Sequence, residues 1–85
     1  MSMVMELIAA VTNAERQIDD QISKLHSYQS EIDTVAQRVN AAFSGSSNQY
    51  GQKMIDQLSQ TKQQVSDTIS RLQNAKEKLT QVRMI

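Results

Sequence analysis

Few side chains in this sequence are of the kinds that do chemistry, and their spacing decides what they could do. His26 is the single histidine of 85 residues, and there is no cysteine. A metal ion needs three or four convergent ligands, so one imidazole with no second His or Cys at ligand spacing predicts no metal site. Asp19-Asp20 and Glu31 with Asp33 are carboxylate pairs. General acid–base work needs a cleft that sets two such groups apart in pKa, whereas a helical rod turns its polar face to water. Ser44-Gly45-Ser46-Ser47 is small and polar, but nothing after it resembles the Gly-Lys-Ser/Thr of a phosphate loop. No base is placed near any serine. The expectation is no catalytic residue, no metal, no cofactor and no enzymatic activity.

The elements that carry these groups are helical by composition. There is no Pro and only two Gly, while Gln, Ala, Leu, Lys, Glu, Met and Arg dominate. No run alternates with period two, so strands are not expected. The first half carries a seven-residue apolar repeat at Val4, Val11, Ile18, Leu25, Ile32 and Val39. Three residues on come Leu7, Ala14, Gln21, Tyr28, Val35 and Ala42; four on come Ile8, Glu15, Ile22, Gln29, Ala36 and Phe43. With both flanks largely apolar, the stripe is wider than a two-stranded seam, and its spacing predicts a left-handed supercoil. The second half repeats the pattern at Leu58, Val65, Leu72 and Leu79, flanked by Met54, Ile55, Ile69, Ala75 and Val82. That stripe is narrower, so the first helix is expected to be the more buried.

The one break is Phe43-Ser-Gly-Ser-Ser-Asn48. Gly45 can take the positive φ that ends a helix, and Ser46 followed by Gln49 resembles a capping box that would start the second helix near Ser47. So short a loop returns the second helix antiparallel. The fold class is all-α: one domain over 1–85, an antiparallel two-helix hairpin with helix one over about 4–43, a turn at 44–47 and helix two over about 48–82. Each arm of roughly 35–40 residues spans roughly 55–60 Å. The expected helix-packing residues are Val11, Ile18, Ile22, Leu25, Ile32, Val39, Leu58, Val65, Ile69, Leu72 and Leu79.

Charge divides between the arms although the total is zero. Residues 1–43 hold six acids against three bases, and residues 44–85 hold six bases against three acids. The acidic and basic arms are expected to lie side by side, or to cross over to a second copy, with complementary flanks. A nucleic-acid partner would call for a basic excess and stacking aromatics, and neither is present. No stretch reaches the ~18 apolar residues of a membrane span. The apolar N-terminal run contains Glu6 and lacks a basic start, so no cleavable signal peptide is expected and the protein is read as soluble when made.

Two rods crossing once bury a single seam, and for so small a fold that burial barely offsets the ordering entropy. The outer flank of helix one, read as Ile8, Ile22 and Ala36 with Leu7 and Tyr28, would stay wet. An apolar strip of that length marks an interface. A second hairpin is therefore expected, giving a four-helix bundle. At the open end, Met1, Met3, Val4 and Met5 should meet Val82, Met84 and Ile85, where methionines suit adaptable contacts.

A helical hairpin of this length with Phe43-Ser44-Gly45 at its bend, before Asn48-Gln49-Tyr50, resembles the WXG family of small type VII secretion proteins over the whole chain. Two features depart from the family. Phe43 stands where the family has Trp, and the C-terminal Tyr-x-x-x-Asp/Glu export signal is missing. Family members act as antiparallel homodimers or heterodimers, and similar hairpins accompany the N-terminal helical domain of LXG toxins. The resemblance implies a secreted or co-secreted adaptor, made in the cytoplasm and exported or surface-associated through a helical partner that supplies the signal. That partner would be self, a related hairpin or a toxin's helical domain. Phe43 and Gly45 would shape the bend, with Phe43→Ala costing ~3 kcal/mol if the ring is buried. The alternative is a generic cytoplasmic coiled-coil module with a structural or tethering role; a polymerising needle subunit would normally carry a Pro in its turn.

Overall fold

The computed structural model describes residues 2–45 and 49–84, and it is a hairpin of two helices, α1 (Met3–Ala42) and α2 (Gln49–Arg83). Ser2 stands in extended backbone, and its hydroxyl oxygen accepts the Met5 N–H at 3.2 Å. That satisfies one of the donors a helix start leaves open, and Glu6 lies favourably at the positive end of the helix dipole. The cap sets the start of α1 one residue earlier than the apolar repeat suggested. At the other end the Phe43 N–H donates to the Val39 carbonyl at 3.1 Å and the Ser44 N–H to Ala41 at 3.4 Å. Gly45 then turns the chain at φ +78°, a left-handed conformation that a residue with a Cβ adopts only under strain. The capping box expected at Ser46 and the helix start near Ser47 lie outside the described residues.

The molecule is a rod of 67 × 15 × 13 Å with a radius of gyration of 19.4 Å. A compact chain of this length would have about 12 Å, so nearly every residue borders solvent or a single neighbouring helix. Val11, Ile32 and Val39 of α1 and Val65 and Ile69 of α2 are buried, and Ile22, Leu25 and Leu58 pack on the cluster of Ile32, Val65 and Ile69. Ile18, Leu72 and Leu79 are half-buried. All eleven residues expected to pack thus lie buried or half-buried along the seam. Among the described residues no large side chain is fully buried.

Acidic and basic flanks meet within the chain. Lys76 binds Asp19 at 2.8 Å, Lys62 binds Asp33 at 2.6 Å and Arg83 binds Glu15 at 2.8 Å. In each case the acid comes from α1 and the base from α2. Asp19 and Asp33 are two heptads apart, as are Lys76 and Lys62, so both pairs report one antiparallel register. Half-exposed pairs of this kind contribute about 0–1 kcal/mol each.

One expectation is corrected here. Ile22 and Ala36 are half-buried under α2, so the wet flank of α1 is the column three residues on, with Leu7, Tyr28 and Val35 at 56%, 47% and 43% exposure. Ile8, in the column four on, is exposed only because it lies near the open end. Asp19 and Asp33 border the column four on, and Lys76 and Lys62 of α2 reach them on that side. Against Gly51, Val65 and Ile69 on α2, the buried residues Val11, Glu15, Ile32 and Val39 lie on α1. Its stripe is broader than the surface α2 offers, so most of the exposed large apolar side chains are its own.

Candidate interaction surface

α2 covers one side of the α1 stripe and leaves the other open. Leu7, Ala14, Gln21, Tyr28, Val35 and Ala42 recur at seven-residue spacing along this uncovered side, and all but the half-buried Ala14 are exposed. Seven-residue spacing returns to one face only on a helix paired with another helix, so the strip suits a helical rather than an extended partner. At the open end Val4, Leu7, Ile8, Val11, Val82 and Arg83 line an apolar groove of about 300 Å³. Met3 and Met84, 85% and 75% exposed, extend the apolar end; Met1 and Ile85 lie outside the described residues.

The polar candidates do not converge. His26 is exposed, with Nδ1 3.3 Å from the Gln29 side-chain oxygen. Asp19 and Asp33 are held by lysines of the opposite helix, whereas their neighbours Asp20 and Glu31 face solvent. Ser44 is exposed, and Ser46 and Ser47 lie outside the described residues. No group of three His, Cys, Asp or Glu among the described residues could hold a metal ion. No helix among them is long and apolar enough to cross a membrane.

Glu15 behaves differently from the other acids. It shares its column with Ile8, Ile22, Gln29 and Ala36 and is itself buried, accepting the Thr80 hydroxyl at 2.6 Å and Arg83 Nε at 2.8 Å. The Thr80 hydrogen bond, then that from Arg83, hold its carboxyl below the ordinary glutamate value, against a smaller opposing effect of burial. A depressed carboxylate pKa means that the unfolded chain binds more protons. The stabilisation is therefore present above the ordinary value of about 4.5 and lost as pH falls through the depressed one. Thermal melts of the parent and Glu15→Gln should differ most near neutral pH and converge in acid. A difference unchanged down to pH 3 would deny Glu15 this role.

At the bend, the half-buried Phe43 ring lies against Gly51, the first residue of the column that continues through Leu58 to Leu79. A Cβ on Gly51 would stand 2.6 Å from Phe43 Cγ and 2.8 Å from its Cβ, so only glycine lets the ring lie there unshifted. Glu15 and Gly51 are the two residues that reading for apolar repeats passes over. Both carried a signal: Glu15 is the lone acid of its column, and Gly51 stands at the head of a column that continues as Leu58, Val65, Leu72 and Leu79.

The arrangement defines an antiparallel helical hairpin with one covered and one uncovered apolar face. No family model, curated protein or solved structure matches the chain, so its own residues and geometry carry the functional reading.

Proposed function

We propose that this chain is a small helical-hairpin protein of type VII secretion that acts as a secreted or co-secreted partner by packing the outer strip of α1 against further helices, as in a four-helix bundle. The observation that carries the reading is the strip of Leu7, Tyr28 and Val35, apolar at helical spacing and left uncovered by the returning arm. Surface area supports it. The hairpin exposes 6630 Å², where a compact protein of 9.6 kDa exposes about 5,100 Å². The difference, about 1,500 Å², exceeds the ~800 Å² that each partner contributes to a standard interface. The bend supports the resemblance, with Phe43 capping α1 and Gly45 turning the chain.

Two measurements test the reading. Light scattering on the purified chain, alone and with the neighbouring gene products, should find a mass of two or more hairpins at micromolar concentration. In the source organism the protein should reach the medium or cell surface, and should cease to do so when the type VII secretion ATPase is deleted. A lone hairpin that binds none of its neighbours would remove the packing role. Assembly without ATPase-dependent export would leave a cytoplasmic coiled-coil module instead.

A further inference from the structure

The apolar seam repeats every seven residues, so sliding one arm past the other by a heptad would set apolar side chains against apolar side chains again. Two facing columns do not have that freedom. On α1, Ile8, Glu15, Ile22, Gln29 and Ala36 alternate apolar and polar; on α2, Ile55, Lys62, Ile69 and Lys76 do the same, before Arg83 ends the column out of step, beside Ile8. Their true repeat is two heptads. The observed contacts match the two alternations in step. Ile22 packs on the cluster that contains Ile69. Glu15 is bonded to Thr80, one turn beyond Lys76, and Gln29 to Ser66, one turn beyond Lys62, at 2.6 and 2.7 Å. Asp19 and Asp33, one turn beyond Glu15 and Gln29 on α1, hold those same two lysines. A slip of one heptad would set lysine against Ile22 and bring the buried Ile69 opposite Asp19 or Asp33, leaving the buried Glu15 without Thr80 and the two exposed aspartates without their lysines. A slip of two heptads would restore the alternation, but it would also melt about four helical turns at the bend.

We propose that this matched alternation, rather than the short turn, is what rules out a slip of one heptad between the two arms. The inference does not depend on what covers the outer strip. It gives Glu15, Gln29, Asp19 and Asp33 a shared role as positioning residues, and it explains why polar groups are retained in a seam where leucine would bury more apolar surface.

Spin labels test it, and the absence of cysteine makes the labelling clean. Gln17→Cys and Gln57→Cys are exposed positions outside the seam, separated along the rod by about 30 Å in the observed register. A slip of one heptad changes that separation by about 10 Å. With seven Gly and Ser residues inserted after Gly45, the turn no longer holds the register, and a single distance equal to the parent's is expected. Two peaks about 10 Å apart, or a distribution broadened by that much, would overturn the proposal and assign the register to the turn. Adding Lys62→Ile, Lys76→Ile and Arg83→Ile to the lengthened chain makes the α2 column apolar throughout, and there a second peak shifted by about 10 Å is expected. A single unshifted peak in that variant would also overturn it.

Discussion

Ile32→Asp is expected to abolish the helical circular dichroism of the whole chain, whereas Val35→Asp, three residues on, should leave the isolated hairpin within about 0.5 kcal/mol of the parent. Ile32 is 5% exposed at the centre of the cluster with Val65 and Ile69, and Val35 is 43% exposed on the uncovered side. Truncating a buried isoleucine costs about 2–5 kcal/mol, and placing a carboxylate there adds its desolvation. With five buried apolar residues among those described, the hairpin has little stability to lose. Once the arms part, each is an isolated helix whose helicity in water is marginal, so helix and pairing should vanish together. Ile69→Asp should behave in the same way. Ile18→Asp should cost less, because Ile18 is half-buried and the carboxylate can turn towards water.

The same pair of variants reports on the outer strip. If Val35→Asp lowers the melting temperature only at concentrations where the parent associates, the strip is covered by a second chain in solution. If it unfolds the hairpin at all concentrations, Val35 belongs to the seam and the assignment of faces is inverted.

The helices, the bend and the central column were legible because they rest on local rules. Nothing but Gly45 and the serines around it interrupts good helix formers, and Val11, Ile32 and Val39 fall on one face at any reasonable pitch. The choice of covered flank was not legible from hydrophobicity. Leu7, Tyr28 and Val35 on one side are as apolar as Ile8, Ile22 and Ala36 on the other, so the stripe alone cannot say which side α2 covers. Asp19 and Asp33 mark the covered side, since both border the column four on, where Lys76 and Lys62 reach them at 2.8 and 2.6 Å. The charge split between the arms predicts complementarity in bulk. Read by position, it also orients one helix on the other. Glu15 shows why such detail escapes a binary pattern. A lone acid in an apolar column reads as an exposed flank residue until Thr80 and Arg83 of the opposite arm are seen to satisfy it.

The bend offers a prediction whose sign depends on background. Because the Phe43 ring is half-buried, Phe43→Ala should cost about 2 kcal/mol, below the ~3 kcal/mol that full burial would imply. Gly51→Ala meets two opposed effects. Alanine favours the helix by about 1 kcal/mol, but its Cβ falls inside the Phe43 ring's contact distance, at 2.6 Å from Cγ, and overpacking of that kind costs about 1–3 kcal/mol. The atoms it meets are Cβ and Cγ, near the backbone, so the ring cannot swing clear by its far end alone. Gly51→Ala should therefore be neutral to destabilising in the parent and stabilising by about 1 kcal/mol in the Phe43→Ala chain. Urea melts of the two single variants and the double variant measure the coupling directly. A gain from Gly51→Ala equal in both backgrounds would mean that the ring does not rest on Gly51 in solution. A coupling of about 1–3 kcal/mol would identify Phe43 and Gly51 as the pair that closes the bend, with Gly45 setting only the direction of the chain.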